Sequence, residues 1–118
     1  SFDDIELART ILICGANPTE NHPIPGARIK QAVRRGAKLI IIDPRRTELT
    51  KYADVHLQLN AGTNIPLFNA LAHAIIDEGL ADEDFIRERV DEFDEFRAFL
   101  ADYSPESVAA ECGVAAED

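Results

Sequence analysis

Apolar residues in the first half of the chain occur in short continuous runs. Thr10–Cys14 is one such run, rich in β-branched residues and ended by Gly15, and Lys38–Ile42 is a second. Continuous runs of this length are typical of strands that are buried on both faces of a parallel sheet. Asp54–Leu59 alternates between apolar and polar residues, which predicts a third and shorter strand.

Helical spacing of apolar residues accounts for most of the remaining chain. A helix that begins near Pro25 is predicted to end at Gly36, because glycine readily adopts the left-handed conformation that closes helices. A second helix is predicted from about Ile65 to Glu78, and a single turn is expected at Thr47–Lys51. Three further start signals predict short helices in the last third of the chain: Asp82, Asp91 and Ser104-Pro105-Glu106.

The order of these elements indicates the fold class. Strand, helix, strand, turn, strand and helix follow one another, and such connections between parallel strands are right-handed crossovers. We therefore predict an α/β fold, a three-layer Rossmann-like domain with a parallel sheet, followed by short helices. A single domain is expected over residues 1–118, with a strand and helix part over 1–64 and a helical part over 65–118.

Composition narrows the class of protein. The chain has 118 residues, of which 46% are hydrophobic and 29% charged, as in an ordinary globular domain. No apolar run approaches the ~20 residues of a membrane span, and the chain opens on acidic rather than basic residues, unlike a secretory signal peptide. Cys14 and Cys112 match no metal-ligand spacing, and the strand around Cys14 predicts a buried thiol. A cytoplasmic location is expected.

The net charge of −10 is distributed unevenly. Residues 1–60 hold nine Lys/Arg and seven Asp/Glu, a net charge of +2, whereas residues 61–118 hold three Arg and fifteen Asp/Glu, a net charge of −12. Most of this field repels phosphate, so non-specific binding to nucleic acid is not expected. A small phosphorylated ligand near the first half remains open. The acidic half is either a solvated helical surface or a docking face for a basic partner.

Polar loops follow the three predicted strands, and ligands of open parallel sheets bind beyond the carboxyl ends of the strands. These loops are Gly15–Glu20, Asp43–Arg45 and Gly62–Asn64. In the first loop, Gly15 allows close approach of the backbone to a ligand, and N–H groups before the helix can face a phosphate. The alternative is an Asn-Pro turn without a ligand. Convergence at one edge predicts a nucleotide site.

The second and third loops each have two interpretations. Asp43 can accept hydrogen bonds from ribose hydroxyls or cap the turn at Thr47. Arg45 can hold a phosphate or stack on a purine, or it is a surface arginine. Thr63 or Asn64 is expected to cap the next helix, and this loop can also offer amide groups to a base edge.

Catalytic and metal centres are not predicted. The three histidines are His22 in the first loop, His56 in a strand and His73 in a helix, and we expect each to be structural or solvent-facing. No catalytic triad order, cysteine nucleophile or pair of carboxylates stands out from the acidic background.

The quoted motifs, in this order and spacing, resemble the third domain of molybdopterin oxidoreductases, and the resemblance covers nearly the whole chain. It is carried by four stretches: Ile11–Pro23, Gly26–Lys30, Arg35–Arg45 and Ala53–Leu57. Two further stretches point to the formate dehydrogenase branch: Leu71–Leu80 and Tyr103–Val108. The resemblance implies a dinucleotide-binding fold that holds one guanosine diphosphate arm of a bis(molybdopterin guanine dinucleotide) cofactor.

The resemblance also implies which residues bind this cofactor. The first loop, through Asn17 and Glu20, would lie along the guanosine-phosphate arm. The second loop, through Asp43 and Arg45, would contact the guanosine. The third loop would contact guanine or its ribose, although many family members carry Asp where this chain has Asn64. The full predicted cofactor-binding set is Gly15, Asn17, Glu20, Asp43, Arg45, Gly62, Thr63 and Asn64.

The resemblance further implies a parent enzyme that uses molybdenum or tungsten to oxidise formate to carbon dioxide and passes electrons to a 4Fe–4S cluster. The cysteine motif for that cluster and the cysteine or selenocysteine ligand of the metal are not in this sequence. We therefore interpret the chain as a fragment that is inactive alone, whose partners are the other domains of the subunit. A helix predicted to begin at Ala115 agrees with this.

Two alternatives remain open. The chain could be a stand-alone mononucleotide-binding or regulatory module, or an acidic domain that docks a basic partner through residues 82–118. If the chain is instead a piece of a larger subunit, it should be less stable than in its parent and expose faces that touched other domains, because one apolar run is generous for so small a domain: Phe93, Phe96, Phe99 and Leu100.

Overall fold

Parallel strand pairing organises the first half of the chain. The computed structural model describes residues 2–118, and within them β1 (Thr10–Cys14), β2 (Lys38–Ile42) and β3 (Val55–Leu57) form a sheet in the order β1-β2-β3. Both pairs are parallel, with Cys14 opposite Ile42 and Ile42 opposite Leu57. The predicted α/β class and parallel sheet are confirmed.

The third strand is shorter than predicted at both ends: Gln58 and Leu59 lie beyond it, and Asp54 acts as a link before it. Its carboxylate accepts the backbone N–H of Leu39 at 2.9 Å and pairs with Lys38 at 2.6 Å, and its own N–H donates to the carbonyl of Leu39 at 2.8 Å. The strand therefore begins one residue later, at Val55.

The helices of the first half differ from the prediction mainly at their starts. The structure has α1 (Phe2–Leu7), which was not predicted, and the predicted loop contains the one-turn helix α2 (Pro18–Asn21). The next helix, α3 (Pro23–Arg34), begins two residues before Pro25, which lies in its first turn as predicted. Proline is favoured in the first turn, where its missing N–H costs no hydrogen bond. The predicted turn is a 3₁₀ helix, Glu48–Tyr52.

One face of the sheet carries the core of this half. Its buried cluster draws on β1, β2, α3 and the 3₁₀ helix: Ile13, Ile29, Leu39, Ile41 and Leu49. Leu39 and Ile41 point to the same face because side chains alternate along a strand. Arg28 of α3 ties α1 to this layer through ion pairs with Asp3 at 2.8 Å and Glu6 at 3.0 Å.

The second half is helical. It contains α4 (Asn64–Asp77), α5 (Glu83–Arg89), α6 (Phe93–Leu100) and α7 (Pro105–Cys112), and α4 packs against α6 and α7. The described residues form two compact units that divide between Gln58 and Leu59. None of the helices described over residues 2–118 is long and apolar enough to cross a membrane.

Two of the helix start signals act as predicted, and two do not. Asp82 accepts the N–H of Phe85 at 2.9 Å, and Ser104 accepts that of Ser107 at 3.3 Å. Asp91 does not cap α6, because Glu92 lies at the N-cap position with a left-handed φ of 55°. Thr63 is at the N-cap position of α4, but its hydroxyl makes no capping bond there.

Candidate nucleotide-binding site

The first two predicted loops start side by side. β1 and β2 are paired up to their carboxyl ends, and the N–H of Gly15 donates to the carbonyl of Ile42 at 2.8 Å. The hydrogen bond to Asp43 and the charge of Asp43, with a smaller effect from the charge of Glu20, raise the pKa of the Arg45 guanidinium. The structure thus brings Gly15, Asp43 and Arg45 to the neighbouring ends of β1 and β2, and Glu20 lies within range of the charge of Arg45.

Asp43 is buried and holds Arg45. Its side chain is 1% exposed, and one carboxylate oxygen accepts the backbone N–H of Arg45 at 2.8 Å and its Nε at 3.2 Å. The other oxygen accepts Nη2 at 3.3 Å. These hydrogen bonds outweigh the effect of burial and lower the pKa of the Asp43 carboxyl below its ordinary value. The Asp43 carboxylate therefore binds the backbone and the side chain of Arg45, and it does not cap the turn at Thr47.

Arg45 is the part of the second loop that faces solvent. Its side chain is 68% exposed, although Nε and Nη2 are fixed by Asp43. A guanidinium has five N–H donors and a flat face, so a fixed Arg45 retains donors and a stacking surface for a ligand. The turn therefore presents an oriented cation.

Two side chains around β3 brace this turn: His56, which was expected to be structural or solvent-facing, and Gln58, which the sequence interpretation missed. The His56 ring Nε2 lies 2.9 Å from the carbonyl of Asp43, and the Gln58 amide donates to the carbonyl of Pro44 at 2.9 Å. A carbonyl oxygen only accepts, so Nε2 of His56 carries the proton. The parallel register, with Ile42 opposite Leu57, was the signal that places residues 56 and 58 beside this turn.

Hydrogen bonds order part of the first loop. Asn17 is 8% exposed, its side chain accepts the hydroxyl of Thr19 at 2.6 Å, and its carbonyl accepts the N–H groups of Glu20 and Asn21 at 3.1 Å. The predicted contact of the other amides of this loop with a phosphate stays a prediction. Gly15 has a φ of +60° and open space where a Cβ would lie, so the start of the loop is accessible.

The third predicted loop belongs to the second unit. Gly62 has a φ of +92°, and the Thr63 hydroxyl donates to the carbonyl of Asn60 at 2.8 Å, which explains why it does not cap α4. Asn64 is the exposed first residue of α4. The N–H of Asn60 donates to the carbonyl of Cys112 in α7 at 2.7 Å, which holds Asn60 in place. The approach of this loop to the first two remains a prediction.

The remaining histidines and cysteines have other surroundings. His73 Nδ1 lies 2.9 Å from the carbonyl of Leu100, and His22 is exposed at the start of α3. Cys112 is fully buried, whereas Cys14 is only partly buried. Within residues 2–118, no group of three or more His, Cys, Asp or Glu is arranged to hold a metal ion.

Comparison with known proteins places this arrangement in a family. Residues 1–107 match the family model of molybdopterin oxidoreductase. The F420-dependent formate dehydrogenase subunit alpha of Methanocaldococcus jannaschii is 46% identical over 114 residues, which are 97% of this chain and 17% of that protein. Formate dehydrogenase H of Escherichia coli is 39% identical over 118 residues, 100% of this chain and 16% of that protein.

A solved structure agrees. The acetylene hydratase from Pelobacter acetylenicus superposes with a TM-score of 0.89 and 34% identity, over 99% of this chain and 16% of that one. The chain thus spans about a sixth of the length of the relatives it matches. A family model that covers most of the chain, together with the parallel sheet and its polar loops, shows that this chain belongs to the molybdopterin oxidoreductase family.

Proposed function

We propose that this chain binds the guanosine diphosphate arm of a bis(molybdopterin guanine dinucleotide) cofactor within a larger formate dehydrogenase. One observation carries the proposal: Arg45 is exposed, is held in place by buried Asp43, and follows β2, whose last residue accepts a hydrogen bond from Gly15 at the start of the first loop. Family membership makes molybdopterin the cofactor, and the guanine dinucleotide form is part of the proposal.

The donors and acceptors present fit a guanine nucleotide. The Arg45 guanidinium supplies the cation for the diphosphate, or a flat surface for the purine. The Glu20 carboxylate is exposed and near Arg45, so it suits hydrogen-bond donors such as ribose hydroxyls or the N–H groups of guanine. Asp43 then acts through Arg45 and not by direct contact, as a positioning residue. Gly15, Asn17 and the third loop, Gly62–Asn64, complete the proposed site.

The cofactor supplies the redox chemistry when it is bound, through its molybdenum or tungsten and the 4Fe–4S cluster of the parent subunit, while this chain binds and orients one end of it. Relatives with this segment include formate dehydrogenases and an acetylene hydratase. Such different named activities support a role in holding the cofactor and not in choosing the substrate. Oxidation of formate, the other domains as partners, and a cytoplasmic location are proposed for the parent protein.

Titration with GDP tests the proposal. We expect saturable chemical-shift changes at millimolar GDP in residues 15–20, 43–45 and 62–64 of the 118-residue chain. Arg45→Gln should weaken binding by about tenfold, because it removes a charge-assisted donor worth about 1.5 kcal/mol. Arg34→Gln, on the exposed end of α3, is the matched control and should bind as the wild type does. The absence of changes in these loops at millimolar GDP would argue against the proposal.

A further inference from the structure

A second cationic feature lies next to the proposed nucleotide site. A cavity of about 370 Å³ in the first unit is lined by the residues that follow Arg45, by the 3₁₀ helix and by β3. Its lining residues are Arg46, Thr47, Thr50, Lys51 and His56. None of these five residues was in the predicted cofactor-binding set, and none of them carries a carboxylate.

The two cations of this cavity make no salt bridge of their own. Glu48, the acidic residue of the 3₁₀ helix, pairs with Lys30 at 2.6 Å, and Asp43 pairs with Arg45. Within residues 2–118, neither Arg46 nor Lys51 takes part in a salt bridge, although the charge of Lys51 acts on Glu48 and helps to lower the pKa of that carboxyl after the larger effect of Lys30. Two exposed cations therefore line one cavity, and neither is paired with a carboxylate at salt-bridge distance.

The polar groups around the two cations are ordered. The Thr50 hydroxyl donates to the carbonyl of Thr47 at 2.7 Å, which ties the start of the 3₁₀ helix to its third residue. His56 donates from Nε2 to the carbonyl of Asp43, which fixes the ring beside the cavity, while Nδ1 of the neutral ring only accepts and offers no donor to an anion. Thr47 makes no side-chain bond to cap the 3₁₀ helix, so its hydroxyl can donate to a ligand. Two cations and a hydroxyl on fixed backbone suit a tetrahedral oxyanion.

We propose that the cavity lined by Arg46, Thr47, Thr50, Lys51 and His56 is a phosphate-binding site, for inorganic phosphate or for the phosphate of a small ligand. It goes beyond the proposed function, since it needs no guanine and uses none of the predicted cofactor-binding residues. The site would hold phosphate weakly, because both cations are exposed to solvent and salt.

The test is a titration of the 118-residue chain with inorganic phosphate at constant ionic strength, balanced with sodium chloride. We expect saturable shifts of the amides of residues 46–51 and 56. Arg46→Gln and Lys51→Gln should each weaken binding by about three- to fivefold, as for an exposed ion pair. Arg34→Gln is again the control and should have no effect. Well-dispersed spectra of each variant show that it is folded.

Two outcomes would overturn the inference. The first is that phosphate causes no saturable shift of these amides. The second is that Arg46→Gln, Lys51→Gln and the control Arg34→Gln weaken binding equally, because phosphate would then respond to the overall charge of the chain and not to a site. A GMP arm identifies the source of the phosphate. If the amides of residues 46–56 shift at lower concentrations of GMP than of phosphate, the site is assigned to a nucleotide. If they shift at equal concentrations of the two ligands, the site is assigned to phosphate itself.

The same data separate this inference from the proposed function. GDP shifts in residues 15–20 and 43–45 without any phosphate shift in 46–56 would leave the cofactor proposal standing and remove this one. Phosphate shifts without a response of the two loops to GDP would do the reverse.

Discussion

At the residue scale, Asp43 and Arg45 illustrate how a buried acid can serve a site that it does not touch. The carboxylate has 1% of its side chain exposed, whereas the guanidinium it holds has 68% exposed. The acid therefore orients the cation, and His56 and Gln58 hold the turn that carries both. A ligand would meet Arg45 in a conformation that is already selected, so less rotamer entropy is lost on binding.

Asp43→Asn should expose this dependence through pH. The pKa of Asp43 is lowered in the folded chain, so its ionised form adds stability that is fully present above the unfolded pKa of about 3.9 and is lost as pH falls through the folded pKa. At pH 7 the substitution should lower the free energy of unfolding by about 1–2 kcal/mol, as for a hydrogen bond to a charged group.

Urea unfolding of the wild type and Asp43→Asn between pH 7 and pH 3 measures this difference. The gap between the two proteins should be constant above pH 5 and should narrow below pH 4. A gap that is independent of pH would mean that the ionised carboxylate does not stabilise the fold.

At the element scale, the sequence predicts strands better than it predicts helix starts. β2 was predicted to the residue, because its apolar residues lie where strands pair on both sides and the run has sharp limits. α2 was missed, because a four-residue helix with two turn formers looks like a loop and is stabilised by the carbonyl of Asn17. The acidic α1 was missed because its tie to α3 is an ion pair distant in sequence.

The candidate site residues also divide into those that the strand order locates and those that it does not. The loops at Gly15 and Asp43 could be located from strand order alone, since β1 and β2 are neighbours. The bracing by His56 and Gln58 needed the strand register, and the inward turn of Asp43 needed the geometry of Arg45. Neither is encoded in a local pattern.

Gly26 tests the contact between α2 and α3. A Cβ at this position would lie 3.1 Å from the carbonyl oxygen of Pro18 and 3.1 Å from the Cα of Thr19, and both are backbone atoms. Gly26→Ala should therefore destabilise the chain by about 1–3 kcal/mol despite the better helix propensity of alanine, because the core is overpacked there.

Thermal or urea unfolding checks this result, with Gln31→Ala as the control at an exposed position of the same helix. If Gly26→Ala is neutral or stabilising, as helix propensity alone predicts, then α2 does not pack against α3 as described.

Two aspartates of the second unit provide a matched pair. Asp82→Ala should lower the free energy of unfolding by about 1 kcal/mol, because it removes the cap of α5, the bond to the N–H of Phe85. Asp91→Ala should cost clearly less, because Glu92 occupies the N-cap position of α6. Chemical denaturation of the two variants side by side makes the comparison, and equal losses would contradict the assignment of the caps.

At the scale of the whole molecule, the acidic helical unit leaves aromatic surface uncovered. Phe96 and Phe99 of α6 are 42% and 50% exposed, which confirms the expected excess of apolar residues in this run. Leu100, in contrast, is buried. Exposed aromatic patches commonly mark surfaces that contact other protein surfaces. The chain spans about a sixth of the length of its relatives, so other domains of a longer subunit are the partners that we propose for this patch.

A dye that fluoresces on apolar surfaces should therefore bind the folded 118-residue chain. Phe96→Ser with Phe99→Ser should reduce this fluorescence with little loss of stability, since both rings are largely in solvent. As a control, Leu100→Ala should destabilise the chain by about 2–4 kcal/mol, because it empties a buried position. Equal dye binding by wild type and the double variant would show that these rings do not form the uncovered surface.

The position of β1 has a practical consequence. This strand has β2 as its one strand neighbour within residues 2–118, although its sequence, Thr-Ile-Leu-Ile-Cys, carries neither a charge nor a proline to discourage pairing, and Leu12 is 48% exposed. Edge strands of this kind can pair with strands of other chains. Concentrated samples of the isolated 118-residue chain should accordingly aggregate through this edge strand, and Leu12→Lys should keep them monomeric.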